Sequence, residues 1–295
     1  MMERPIPEAV AEFVRARLGH ALEFSFAGWP HTQSRVWRAA RPDGSAFYVK
    51  HHAEPYLFER HSYACHHWVR QLPACVPACV PELVAASDAA LGTMIFGQVP
   101  GRLLELVPLP PKLELDVYRD AGRVARAMHT LNCEDDPSFD AAADFTASAH
   151  DYCRRARGLV DNATLDWAAD MLRDGSSFKG HRRVPCHRDY SPRNWLVEVI
   201  DGRAKLCVID FERARLDLGL YDFQRMWPDH FRARPERQRA FFDGYGAQLS
   251  PEDEHNLKLL VLRTSIATLS WAAAHADAAF LRQAIETIEY VRGRL

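Results

Sequence analysis

Three oxygen-bearing side chains stand at a spacing that suits phosphate chemistry: Asp189, Asn194 five positions on, and Asp210 at the end of the apolar run Val208-Ile209. A phosphoryl-transfer site needs one carboxylate to accept a hydroxyl proton and two oxygen ligands to hold magnesium on a nucleotide's phosphates. Asp189 can fill the first role, and Asn194 and Asp210 the second. Alone, Asp189 would read as a turn cap; with the other two in register the chemical reading outweighs that one. His187, two residues before Asp189, reads as a structural hydrogen-bonding residue rather than a proton carrier.

Such a trio needs positive charge and a frame to hold it. Lys50 ends a strand that begins at Phe47, a place from which an ammonium reaches the phosphates of a nucleotide. Pro55 opens a helical stretch to about Leu72, and Glu59, one to two turns in, is expected to hold that ammonium. Glu54 competes for the role but reads better as a helix-start residue. Upstream, residues 7–18 carry a one-sided apolar helix, and 22–27, 34–40 and 47–50 read as antiparallel strands. The turn between the first two strands has a single glycine, Gly28, so phosphate contacts there depend on Thr32 or Ser34. Strands at 80–85 and 92–96 make a five-stranded sheet. The following connector, Gly97 to Gly101, offers backbone groups at Gly97 and Val99 for a purine edge.

Beyond the proline-rich 108–111 segment the period turns helical: Leu113, Val117, Ala121, Val124, Met128 and Leu131 share one face, read as core. After Asp210, helices are expected near 235–246, 251–275 and 278–292, the second opened by a capping-box-like Ser250-Pro251-Glu252-Asp253. Composition sets limits on this reading. The chain has 295 residues, 47% hydrophobic and 26% charged, with a net charge of -2. That is ordinary globular composition without the basic surplus of a nucleic-acid binder. Seven cysteines without a CxxC pair argue against a disulfide framework and for a reducing cytosol. Cys75 and Cys79 make a poor metal pair, and the histidines at 51, 52, 61, 66 and 67 lack a completing ligand pattern. No signal peptide or membrane-spanning run is read, so the expectation is a cytoplasmic protein with no membrane or nucleic-acid partner.

The order of Lys50 with Glu59, the 97–101 connector, His187-x-Asp189 through Asn194, Asp210-Phe211 and the downstream Asp222 resembles the aminoglycoside phosphotransferase family of small-molecule kinases, over nearly the whole chain. The resemblance implies an α+β, bilobal protein-kinase-like fold: an N-lobe at 1–97 with a five-stranded antiparallel sheet and a helix, a hinge at 98–111, and a helical C-lobe at 112–295. It implies that Asp189 is the catalytic carboxylate, Asn194 and Asp210 are magnesium ligands, and Lys50 binds phosphate. Glu59, Ser34, Gly97 and Val99 complete the nucleotide site, and Asp222 braces the catalytic loop. The implied cofactors are Mg2+ and ATP. GTP stays open because Tyr48 shares the strand face of Lys50 and narrows the base pocket.

Two departures bear on the acceptor. Arg188 stands where many small-molecule kinases have glycine, as in protein kinases, yet Glu212 follows Asp210-Phe211 and no Ala-Pro-Glu activation segment is present. A protein substrate is therefore the weaker reading. Residues 134–174 hold ten acidic side chains against four arginines, either a solvated face or a cleft wall whose field draws a cation. The second choice favours a cationic antibiotic, an aminoglycoside or basic peptide antibiotic, with resistance as the outcome. A metabolic kinase of choline, homoserine, a thiosugar or an amino sugar is the alternative within the class. A non-catalytic ligand-binding module is the alternative outside it, and the complete set of Lys50, Asp189, Asn194 and Asp210 argues against it.

Overall fold

A five-stranded antiparallel sheet organises the first third of the chain. The computed structural model describes residues 4–28, 34–74, 80–136 and 138–295; the turn at 29–33, with Thr32, and the Cys75–Cys79 pair lie outside them. Helix α1 (Glu8–Leu18) precedes strands β1 (Glu23–Phe26), β2 (Ser34–Ala40) and β3 (Ala46–His52). Helix α2 (Pro55–His67) is followed by β4 (Leu83–Ala86) and β5 (Thr93–Gly97). The strands form one antiparallel sheet in the order β1-β2-β3-β5-β4. Val49 and Ile95 turn to one face and form a small core with Val10, Val14 and Leu18 of α1. Lys50, next in the strand, necessarily faces the other way, toward the site.

The 98–111 connector is more ordered than a plain linker. Its strand β6 (Arg102–Leu103) pairs with β8 (Trp195–Ile200), and Gly101, at φ +111, lies so close that a Cβ there would meet the Val197 carbonyl carbon at 2.8 Å. Pro111 then occupies the first turn of α3 (Pro111–His129), where its missing N–H costs nothing. Helices α4 (Ala141–Arg155) and α5 (Asn162–Met171) follow, then strands β7 (Val184–Cys186), β9 (Arg203–Val208) and β10 (Arg215–Asp217), with β9 pairing β8 and β10 pairing β7. The chain ends in α6 (Pro235–Tyr245), α7 (Pro251–Ala274) and α8 (Ala278–Arg292).

Helices α3 and α6 touch backbone to backbone. A Cβ on Gly122 would lie 1.9 Å from the Phe241 carbonyl oxygen, and one on Gly244 would lie 1.8 Å from that of Arg119. The capping box at Ser250 and Asp253 forms as expected and starts α7. By length and composition α7 has what a membrane span needs, but 56% of its apolar window is buried within the protein, where Leu260, Leu262, Ile266 and Leu269 are fully enclosed. The larger core runs without a break from α2 and β5 into these helices.

Candidate active site

Two loops carry the trio, and strand pairing sets them side by side. Residues 187–194 run from β7 to β8, and 209–214 run from β9 to β10. Because β7 pairs with β10 and β8 with β9, both ends of each loop are clamped, and the Ile209 amide donates to the Asn194 carbonyl at 3.0 Å. Asn194 Nδ2 donates to the Asp189 carbonyl at 2.8 Å and to Asp189 Oδ2 at 3.1 Å. Its Oδ1 is thereby turned away from Asp189.

Both loops enter the left-handed region at a residue with a side chain, Arg188 at φ 67 and Asp210 at φ 69. Asp adopts that geometry more readily than most residues; for Arg it costs about 1–2 kcal/mol, which explains why glycine suits the position. Here the cost is offset locally. The Arg188 amide donates to Asp222 Oδ1 at 2.6 Å, its Nε lies 3.2 Å from Asp217 Oδ2, and its guanidinium stacks 3.7 Å over the Tyr221 ring. Asp222 Oδ2 also accepts the His187 amide at 2.9 Å and His129 Nε2 at 3.1 Å, so one fully buried carboxylate ties the 187–194 loop to α3. Cys186 completes a compact buried group with His129 and Asp222. Its thiol contacts the Asp217 and Leu218 carbonyls, and the oxygens of Asp222 already accept three N–H groups, so the group braces the loop. His187 has one consistent tautomer: Nε2–H donates to the Ile209 carbonyl at 2.9 Å, and Nδ1 accepts the Asp189 amide at 3.3 Å.

Lys50 reaches the trio, but not with the partner expected. Its Nζ lies 2.6 Å from Asp210 Oδ1 and 2.9 Å from Glu212 Oε2, while Glu59 and Glu54 are solvent-exposed. The pairing with Glu59 is corrected on geometry: that residue lies on the outer face of α2, and Glu212, two beyond Asp210, supplies the carboxylate. Ser34 Oγ donates to the same Glu212 Oε2, so it serves the lysine's partner from β2. Burial lowers the Lys50 pKa, but Asp210 and Glu212 outweigh it and the ammonium is held above its ordinary value. Burial raises Asp210, yet the Lys50 ammonium, by its charge and its hydrogen bond, carries it well below the carboxylate range.

From α2 it is His61 that feels Lys50 and Asp210. His52 Nδ1 must donate to the Gly92 carbonyl at 3.1 Å, leaving its Nε2 to accept from His61 Nδ1 at 3.0 Å. Burial, followed by the Lys50 charge, lowers His52 to about 4 and His61 well below its ordinary value, so both rings are neutral. At the connector, the Gly97 amide is already used, donating to Glu82 O at 2.9 Å, and the Gln98 amide donates to Ala46 O at 3.2 Å. Val99 follows, half-buried.

Two arginines outside the predicted site residues flank Asp189. Arg193 Nη2 lies 2.6 Å from Oδ2, and Arg225 Nε lies 3.2 Å from Oδ1. Arg193 sits inside the motif and could have been flagged; Arg225 is 36 residues away, and nothing in the sequence points to it. The acidic stretch, by contrast, is used elsewhere. Asp140 and Asp161 cap α4 and α5, and Asp136 and Asp174 bond the amides two residues on. Asp135 pairs with Arg183, Asp151 with Arg154 and Arg155, and Asp170 with Arg173.

The donor set at the centre is all oxygen: the ionised Asp210, the outward amide oxygen of Asn194 and the carboxylate of Asp189. That set fits a hard divalent cation such as Mg2+ and offers none of the nitrogen or sulfur ligands that favour zinc.

A model of the phosphotransferase enzyme family matches residues 27–260. No curated protein matches the chain in sequence. Among solved structures, the chain is similar to the GDP and kanamycin complex of APH(2")-IIIa, with a TM-score of 0.78 and 13% identity over 97% of this chain and 99% of that one. It is similar to the apoenzyme of macrolide 2'-phosphotransferase MphH from Brachybacterium faecium, with a TM-score of 0.66 and 16% identity over 96% and 98%. A ternary complex of an aminoglycoside phosphotransferase APH(4)-Ia mutant with ADP and hygromycin B gives 0.69 and 16% over 96% and 97%. At these identities the likeness establishes the fold, an α+β kinase-like architecture with a five-stranded antiparallel sheet followed by a mostly helical part.

Proposed function

The chain belongs to the phosphotransferase enzyme family, and we propose that it moves the γ-phosphoryl group of a nucleoside triphosphate, bound with Mg2+, onto a hydroxyl of a small molecule. The observation that carries this reading is the convergence of Lys50, Asp189, Asn194 and Asp210 from loops and strands up to 160 residues apart. Asp189 orients the acceptor hydroxyl and takes its proton late, as the acceptor oxygen bonds to the γ-phosphorus and the bond to the β–γ bridging oxygen breaks. Lys50 supplies fixed positive charge for the phosphates. Asn194 and Asp210 would hold the Mg2+, whose role is to offset the charge on the phosphate oxygens. Asp222, through the His187 and Arg188 amides, fixes the loop on which Asp189 rides.

Use of ATP or GTP has the support of fold neighbours that carry GDP and ADP. An antibiotic acceptor is supported in the same way, by neighbours that carry kanamycin and hygromycin B or are named for macrolides. The further step to a cationic acceptor loses much of the support of residues 134–174, since seven of their ten carboxylates cap helices, close turns or pair with arginines.

Asp189→Ala is expected to abolish transfer, measured as labelled γ-phosphate on acceptor, while nucleotide binding persists. Asp210→Ala is expected to remove the Mg2+-dependent part of nucleotide affinity. Near-normal turnover in the first variant would refute the mechanism, and unchanged metal-dependent affinity in the second would refute the ligand role.

A further inference from the structure

We propose that Arg193 is a catalytic residue that clamps the transferring phosphoryl group, its guanidinium passing from the carboxylate of Asp189 to the phosphoryl oxygens as transfer proceeds; this rests on the phosphotransferase reading above. The short turn Pro192–Asn194 sets its place. Pro192 and Asn194 are buried, and the Asn194 amide donates to the Ser191 carbonyl at 2.9 Å. Arg193, between them, turns its side chain outward, and 45% of it stays exposed. Its Nη2 donates to Asp189 Oδ2 at 2.6 Å, the oxygen that also takes Asn194 Nδ2 at 3.1 Å. One carboxylate oxygen thus joins the arginine to the residue whose amide oxygen is turned toward the metal position.

The two oxygens of Asp189 are unequal. Oδ2 is filled by these two N–H groups. Oδ1 accepts no hydrogen bond among the described residues, since Arg225 Nε stands 3.2 Å away without aiming its hydrogen at it. Oδ1 therefore keeps the capacity to take the acceptor's hydroxyl proton. As the acceptor oxygen bonds to the γ-phosphorus and the bond to the β–γ bridging oxygen breaks, that proton moves to Asp189, and one negative charge leaves the carboxylate for the phosphate groups. Arg193 loses its ionic partner in the step in which the phosphoryl oxygens gain charge. Its attraction to phosphate is then stronger in the transition state than with substrates bound, which is the condition for raising kcat and not merely affinity.

The charges around Arg193 are balanced before reaction. Burial lowers its pKa, but Asp189 first, then Asp210 and Glu105, outweigh that and hold it above its ordinary value. The guanidinium thus lies in the field of both Asp189 and Asp210, the carboxylates between which the γ-phosphoryl group moves. Lys50, a second cation of the site, is held by Asp210 at 2.6 Å and Glu212 at 2.9 Å, and it makes no bond to Asp189. Ser191, two residues past Asp189, brings no charge. The unused N–H groups of Arg193 form a planar fork that suits a pair of phosphoryl oxygens.

The test uses the full chain with Mg2+ and two probes, ADP and GDP in parallel, each alone and with aluminium fluoride, whose metal-fluoride unit mimics the phosphoryl group in transfer. Arg193→Gln is expected to leave the Kd of the Mg2+-nucleotide within about twofold and to weaken the fluoride complex about 100-fold. For ATP or GTP, kcat of γ-phosphate release to water should fall by a similar factor, about 100-fold, with the nucleotide KM unchanged. Arg193→Lys should recover part of the loss. Added to Asp189→Asn, Arg193→Gln should weaken the fluoride complex beyond Asp189→Asn alone, because the clamp acts on phosphate and not through the carboxylate. No further weakening in that double variant, the result expected if Arg193 only positions Asp189, would overturn the inference. So would equal losses for nucleotide with and without fluoride, or a kcat within about threefold of the unsubstituted protein, where the principle predicts about 100-fold; each leaves the phosphotransferase reading intact. A protein that neither releases γ-phosphate nor binds nucleotide more tightly with fluoride would sink that reading, and the clamp with it.

Discussion

Glu212→Gln should destabilise the protein by about 2 kcal/mol, while Glu59→Gln should change stability by no more than about 0.5 kcal/mol. The Lys50 side chain is only 8% exposed and Glu212 only 12%, with Nζ 2.9 Å from Oε2. At that separation an effective dielectric near 20 gives a gross attraction of about 6 kcal/mol. Most of this does not appear in the net cost. Asp210 still pairs with the ammonium at 2.6 Å, the repulsion between the two carboxylates is relieved, and a glutamine oxygen can still accept from Lys50 and Ser34. What is lost is the charge assistance of one buried hydrogen bond, hence about 2 kcal/mol. In a nucleotide-free thermal scan this amounts to a fall on the order of 5 °C, against no resolvable change for Glu59→Gln. A double-mutant cycle with Lys50→Met isolates the pair term. A larger loss from Glu59→Gln than from Glu212→Gln would refute the assignment and restore the helix glutamate as the lysine's partner.

Gly122→Ala should cost about 3 kcal/mol or prevent folding, because its Cβ would press into the Phe241 carbonyl oxygen and force α3 and α6 apart; a melting temperature unchanged within error would contradict the packing. Asp222→Asn should cost about 3–5 kcal/mol, since its amide nitrogen would turn N–H groups toward the donors on His187, Arg188 or His129; urea unfolding measures it, and a loss under about 1 kcal/mol would remove Asp222 as the brace. The His52–His61 pair makes stability depend on pH. Both rings are neutral when folded and titrate near 6.5 when unfolded, so their stabilisation is complete above about pH 6.5 and is lost as pH falls toward the His52 value of about 4. His52 alone accounts for roughly 3 kcal/mol over that window. The depressed carboxylates lose their contribution only below about pH 4, so a melting temperature flat from pH 7 to 5 would contradict the buried pair.

The sequence determined the chemistry and the secondary structure because both are local. Asp189, Asn194 and Asp210 occur at fixed short spacings. Strands 34–40 and 92–96, the 235–246 helix and the Ser250 cap follow from periodicity and capping rules that operate within a few residues. Which charges face one another is not local. Lys50 and Glu212 meet because β3 presents its inner face to the loop between β9 and β10, while Glu59, nearer in sequence, sits on the wrong side of its helix. The ten acidic residues of 134–174 looked like a field for a cation, but most are caps and local pairs, and net charge along a chain says nothing about direction. Arg225 reached Asp189 only through the packing of the segment before α6 against α7 and α8. Hydrogen-bond periodicity is written in neighbouring residues, whereas the electrostatics of a cleft belong to side chains brought together from distant positions, and those only the tertiary structure decided.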